Sequence, residues 1–140
     1  MILCLTSTPL HRIIDQMNRE PTIYIAGPMR GYADGNFPAF DRQAKNFEDK
    51  GWIVINPAEM DRVEGSPPNG HVDFNPETDY DDQEFIRTAL KRDMDAICDR
   101  CTAIYMMSNW EDSRGAKAEW HLAKAIGLNI YYETPLPAKQ

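Results

Sequence analysis

Four short runs, TIYIA (Thr22–Ala26), WIVIN (Trp52–Asn56), TAIYMM (Thr102–Met107) and LNIYY (Leu128–Tyr132), constrain this chain more than anything else in it. Each is rich in β-branched or aromatic residues and nearly continuous in apolar character, the pattern of strands covered on both faces. Between them the apolar period lengthens to that of a helix. Phe37, Phe40, Ala44 and Phe47 make a stripe at helical spacing, with Asn36 as N-cap, Pro38 in the first turn and Gly51 as the stop. A second helix is expected over Asp82–Cys98, and a third opens in SRGAKAEWHLAKAIG, residues 113–127.

Strand and helix in alternation define an α/β fold: a flavodoxin/Rossmann-like open parallel sheet of four to five strands with helices on both faces. Right-handed crossovers allow the strand order 2-1-3-4, in which the first and third strands are neighbours. Their helices then leave on opposite faces, and the ligand crevice lies beyond their C-terminal ends. The loops there are GPMRGYADGN (27–36) and SNWEDSRGA (108–116), so chemistry is sought in them.

At 140 residues, 42% hydrophobic and 26% charged, the chain suits one domain over 22–140 behind an N-terminal extension of residues 1–21. That extension is expected to hold a short helix around Pro9–Arg19, peripheral or part of an oligomer contact. Residues 57–81 are rich in Pro, Gly, Asn and Asp and read as a long loop, a lid or specificity element. Its acidic cluster, Asp73, Asp79, Asp81 and Asp82, lacks the alternating ligands and central glycine of a calcium loop. No metal or cofactor is expected. Cys98 and Cys101 form a C-x-x-C with no second pair to complete a zinc tetrahedron, and three cysteines suit a reducing compartment. No run approaches the roughly 18 apolar residues of a membrane helix, and the start is too short for a secretory signal, which points to a cytoplasmic protein with no membrane partner. A net charge of −7 with no basic face excludes nucleic acid as a partner.

Two carboxylates break the helical patterns. On the third helix Lys117, His121 and Lys124 gather into one polar sector, while Glu119 falls inside the apolar arc beside Ala116, Trp120, Leu122, Ala123 and Ile126. On the second, Ile86, Ala89, Leu90, Met94 and Ile97 define the buried stripe and Asp93 projects from its middle, with Asp95 pointing away. An unpaired buried carboxylate costs several kcal/mol, so each needs either a buried partner such as an arginine or a chemical role. Carboxylates converging in a cleft are the equipment of glycosyl chemistry, one as nucleophile at an anomeric carbon and one assisting protonation or orientation. Around them stand Gly27, Arg30 and Gly31 after the first strand, and Ser113, Arg114 and Gly115 at a helix N-terminus. Backbone N–H groups, glycine and arginine together suit a single phosphate beside a sugar.

Taken in order, YIAGPMRG (24–31), NPAE (56–59), RDMDAI (92–97) and NWEDSRGAKAEWHLAKAIG (109–127) resemble the nucleoside 2-deoxyribosyltransferase superfamily. More narrowly they resemble its small phage and bacterial branch of unknown function, with its Y-I-A-G-P-M and W-E-x-S-x-G-A-x-x-E. The resemblance implies that Glu119 is the nucleophile at C1′ of the (deoxy)ribose, that Asp93 assists the leaving base or holds the sugar, and that Tyr24, by itself an ordinary strand aromatic, places its hydroxyl near the nucleophile. A branch related to this superfamily hydrolyses nucleoside 5′-monophosphates. The positions that hold phosphate there correspond to Arg30 with Gly31, and to Ser113. Asn109, where the small branch more often has glycine, and Trp110 fall at the base or sugar pocket, Trp110 readable as a stacking platform or as a hydrophobic plug. The expected activity is N-glycosidic cleavage of a nucleotide. The alternatives are deoxyribosyl transfer between unphosphorylated nucleosides and a nucleotide-binding module without turnover. The resemblance also implies a homo-oligomer, a dimer or tetramer.

Overall fold

The computed structural model describes Leu10, residues 19–64 and residues 83–134. Four strands, β1 (Thr22–Ala26), β2 (Ile53–Ile55), β3 (Ala103–Met106) and β4 (Asn129–Tyr132), form one parallel sheet in the order β2-β1-β3-β4. The α/β class and the 2-1-3-4 order therefore stand as expected, with four strands. Four helices of α type connect them: α1 (Phe37–Asp49), α2 (Pro57–Glu64), α3 (Gln83–Arg100) and α4 (Arg114–Ile126). One 3-10 turn precedes α1 (Ala33–Asn36) and another precedes α4 (Trp110–Asp112).

The period of two along β1 divides the interior. Ile25 points to a cluster with Phe37, Phe40, Ala58, Phe85 and Met107, the side on which α1 packs. Tyr24 and Ala26 point to the opposite cluster, with Ile55, Ile97, Ile104, Met106, Ala116 and Ala123, the side of α4 and of the later turns of α3. Every residue of β1 is buried, whereas the edge strands expose Ile53, Tyr131 and Tyr132. Coverage on both faces is thus a property of the central strands alone. An apolar run does not report its place in the sheet, since edge strands here carry the same β-branched and aromatic residues as central ones.

Three local expectations are corrected. Residues 57–64, read as part of a loop, form helix α2: Pro57 takes the first helical position and the Asn56 side-chain carbonyl accepts from the Ala58 N–H at 3.0 Å. On α3 the inward position belongs to Phe85, while Ile86 is 40% exposed, and the helix continues to Arg100. The inward row is Phe85, Asp93 and Ile97, all buried, with Ala89 half-buried, a strict four-residue spacing in which the larger aromatic claims the core. Asn36 precedes α1 but does not cap it. Its backbone is left-handed (φ 63°) and its amide donates to the Pro28 carbonyl at 2.9 Å, tying the β1 loop to the helix start. The helix expected at Pro9–Arg19 lies outside the described residues apart from Leu10 and Arg19, and so does the remainder of the 57–81 segment. Among the described residues no helix is long and apolar enough to cross a membrane.

Candidate active site

Helix α4 begins in the loop after β3 and runs back across the sheet, which brings its second turn over β1. Its start is set by Ser113, whose hydroxyl oxygen accepts from the Ala116 N–H at 3.2 Å, and its end by Gly127 in a left-handed conformation. Ala116 and Ala123 are buried against the sheet, and Glu119 lies between them, 6% exposed. Beneath it is Tyr24, wholly buried in mid-strand, whose hydroxyl donates to Glu119 Oε1 at 3.1 Å. Among the described residues no lysine, arginine or histidine forms a salt bridge with Glu119.

Asp93 reaches the same layer from α3 and is also buried, but its solution differs. Arg92 donates to Asp93 Oδ1 through Nε at 3.0 Å and through Nη2 at 2.8 Å. The same Nη2 lies 2.7 Å from Oδ1 of Asp61, which is 2% exposed on the inner side of α2. Asp61 and Arg92 are the site residues that sequence reasoning missed. The available signal was the Asn-Pro-x-Glu start of α2, after which Ala58 and Asp61 fall three apart on one buried face.

Burial raises the Glu119 carboxyl well above its ordinary value, the Asp93 charge adds to this, and the Tyr24 hydrogen bond opposes it. Burial also lifts Asp93 to about 6, against the pull of the Arg92 guanidinium. Tyr24 is driven well above the ordinary phenol range, first by burial and then by the two carboxylates. Burial works against the Arg92 charge, yet Asp93 and Asp61 together hold it above its usual value. The result is a buried set in which two carboxylates and a phenol compete for protons, and of Glu119 and Asp93 only Asp93 has a cation of its own among the described residues.

The two crevice loops place the remaining expected residues. Gly27 is required by packing: a Cβ there would lie 2.9 Å from the Met107 Cβ, so the β1 and β3 loops can approach only with glycine at this position. Gly31 is left-handed (φ 84°) with open space around it, and Arg30 is exposed in the same turn. A Cβ on Gly115 would meet only Ser113 Oγ, at 3.9 Å, so the start of α4 is open. Asn109 is left-handed (φ 66°) and its amide donates to the Tyr32 hydroxyl at 3.4 Å, joining the two loops. The neighbouring Ser108 N–H is held by Glu133 Oε2 at 2.6 Å. Trp110 stacks on Trp120 with centroids 5.4 Å apart and tilts against Tyr132 at 6.2 Å, so one of its faces is already covered. The chain thus brings Tyr24, Asp93 and Glu119 into one buried layer and sets the glycine, arginine and serine positions in the loops above.

Two features stand apart. Cys98 is exposed and Cys101 buried, both free, and burial pushes the Cys101 thiol up to about 12, which leaves it a packing residue. A groove of about 630 Å³ between α1, β2 and α2, lined by Asp41, Lys45, Glu59 and Arg100 among others, includes none of Tyr24, Asp93 and Glu119.

The model of one protein family, the domain of unknown function DUF4406, matches residues 21–132, a span that takes in Tyr24, Asp61, Arg92, Asp93 and Glu119. The chain belongs to this family. No curated protein matches it.

Proposed function

We propose that this DUF4406 chain cleaves the N-glycosidic bond of a (deoxy)nucleoside 5′-monophosphate through a covalent glycosyl-enzyme on Glu119, releasing the base by hydrolysis or by transfer to another base. The observation that carries the reading is the buried Tyr24–Glu119 hydrogen bond: a carboxylate held by a phenol, with no salt bridge among the described residues to neutralise it. A carboxylate locked in an ion pair is a poor nucleophile, whereas one oriented by a single neutral donor keeps a lone pair for carbon. The resemblance to the nucleoside 2-deoxyribosyltransferase superfamily supplies the substrate class. Its support is that Tyr24, Asp93 and Glu119, which that resemblance singles out, converge.

The chemistry follows from the two carboxylates. Glu119 forms a bond to C1′ as the bond from C1′ to the base nitrogen breaks, and the base leaves with a proton supplied by Asp93. Water, or a second base, then attacks C1′ and frees Glu119, with Asp93 taking up the proton that the attacking group gives up. The reactive form is the pair carrying one proton between them, so kcat/KM rises and then falls with pH.

Phosphate recognition falls to the loop donors. Ser113 accepts from the Ala116 N–H through its oxygen and retains its O–H to donate, and Arg30 is exposed in the β1 loop. Incubating the protein with a panel of ribo- and deoxyribonucleoside 5′-monophosphates, and following free base by chromatography, tests the activity. The absence of both base release and base exchange across the panel would sink it. Paired kinetics on nucleosides and nucleotides separate the phosphate reading from plain deoxyribosyl transfer: Arg30→Ala and Ser113→Ala should raise KM for nucleotides only, and equal losses on both favour the transferase. Nucleotide binding without turnover would instead identify a binding module.

A further inference from the structure

Neighbouring residues on a helix point about 100° apart, so an arginine one position before a buried aspartate does not meet it by default. In α3 the Arg92 guanidinium nonetheless turns inward, and both of its hydrogen bonds to Asp93 fall on Oδ1. Asp61, which enters from α2, thirty-one positions earlier in the chain, takes the same Nη2 at 2.7 Å and so helps hold it there. The fork spans two helices, and it is mostly buried at all three members. A buried ion triad of this kind contributes little net stability, since desolvation offsets its attraction, and hydrophobic replacements are often neutral or better. Its physical effect here is to hold one carboxylate in one orientation. Among the described residues, Glu119 on the adjacent helix has no comparable ionic clamp.

We propose that Arg92, anchored by Asp61, is a positioning residue that holds Asp93 with Oδ1 committed to the guanidinium, so that a proton exchanged with a ligand is carried by Oδ2. The role assigned to that proton rests on the glycosidic reading above. The charge network itself does not, and it is tested in the ligand-free protein.

The groups facing Asp93 are Arg92 on its own helix, Asp61 on α2, Tyr24 on β1 and Glu119 on α4. Arg92 favours the Asp93 anion and Asp61 disfavours it, so removing each should move the Asp93 titration in opposite directions. Carboxyl carbon NMR of aspartate-labelled protein, with Asp93→Asn to identify the resonance, should show Asp93 titrating at about 6 in the parent. Asp61→Asn should lower that midpoint, and Arg92→Met should raise it, each by about one pH unit or more. A triad whose charges did not bear on Asp93 would alter stability in both variants and leave the titration of Asp93 in place. Unchanged midpoints, or shifts of the same sign, overturn the proposal. If Arg92→Met does not fold, Asp61→Asn decides alone, because it keeps the shape and removes only a charge. Where the parent shows base release, Asp61→Asn should also reduce kcat about tenfold with KM within about twofold. If the parent shows no turnover, the NMR shifts still decide the role of Arg92, and only the glycosidic reading fails.

Discussion

Helices α1 and α4 are each 13 residues long, pack on opposite faces of one sheet, and bury residues at identical spacing. On α1 the buried row is Phe37, Phe40, Ala44, and on α4 it is Ala116, Glu119, Ala123. Phe40 and Glu119 therefore hold the same place in two equivalent stripes, 0% and 6% exposed. The helix period decides that both positions face inward, and the side chain decides what the burial is for. Phe40 removes a ring from water and stabilises the domain. Glu119 is desolvated at a cost in stability, and the small alanines flanking it let α4 approach the sheet closely enough for Tyr24 to reach it. One face of the sheet is packed by aromatic rings, and the other buries titratable groups.

The sharpest way to break this contrast is to neutralise the carboxylate. Glu119→Gln keeps the shape and the acceptor for Tyr24, and should abolish base release by at least about 10⁴-fold, more than 5 kcal/mol in the barrier. The same variant should melt a few degrees higher at neutral pH, roughly 1–2 kcal/mol more stable, because the cost of burying an ionisable carboxyl with no cation of its own is gone. Loss of both activity and stability would mean that Glu119 is a structural group like Phe40. The converse experiment, Phe40→Ala, should reduce stability by about 3–5 kcal/mol in urea denaturation while the folded fraction keeps its base-releasing activity.

A pH series sharpens the same contrast. Asp93 keeps its proton to about pH 6 when folded but releases it near 3.8 when unfolded, and Glu119 is raised above its ordinary 4.5 in the same sense. The native state thus binds more protons than the unfolded state from about pH 4 upward. The contribution of the pair is fully present below that pH and is lost as pH rises through the folded values. The stability difference between Glu119→Gln and the parent should therefore widen from pH 4.5 to pH 7, and a constant difference would show that Glu119 titrates normally. The smallest expected effect belongs to the helix start. Ser113→Ala removes the cap of α4 and should cost about 1 kcal/mol in thermal unfolding, whether or not a phosphate binds.

Much of this arrangement is legible in the residues themselves. The apolar runs and the helical stripes lead to the α/β class and the 2-1-3-4 order, and the misplaced carboxylates lead to Glu119 and Asp93 as inward-facing groups. The strand Thr22–Ala26 emerges with its true bounds because a central parallel strand is apolar on both faces. Helix α2 is hidden because its eight residues sit at the head of a segment dominated by Pro, Gly, Asn and Asp, whose composition outweighs so short an element. The phase of α3 is misjudged because Phe85 and Ile86 are both large and apolar, and only packing against Phe40 and Met107 selects between them. Asn36 has the residue type of a cap, but its left-handed backbone directs the amide to Pro28 instead.

By itself the sequence determined the alternation of strand and helix, α2 apart, and the burial of Glu119 and Asp93, though not of Asp61, because periodicity and hydrophobicity are local properties. The hydrogen bond of Tyr24 to Glu119, ninety-five positions apart and implied beforehand only by family resemblance, and the clamp of Asp61 on Arg92 were decided by the tertiary structure. Both depend on how closely helices from separate parts of the chain settle on the sheet, and a hydrogen bond near 3 Å responds to differences that no spacing in the sequence encodes.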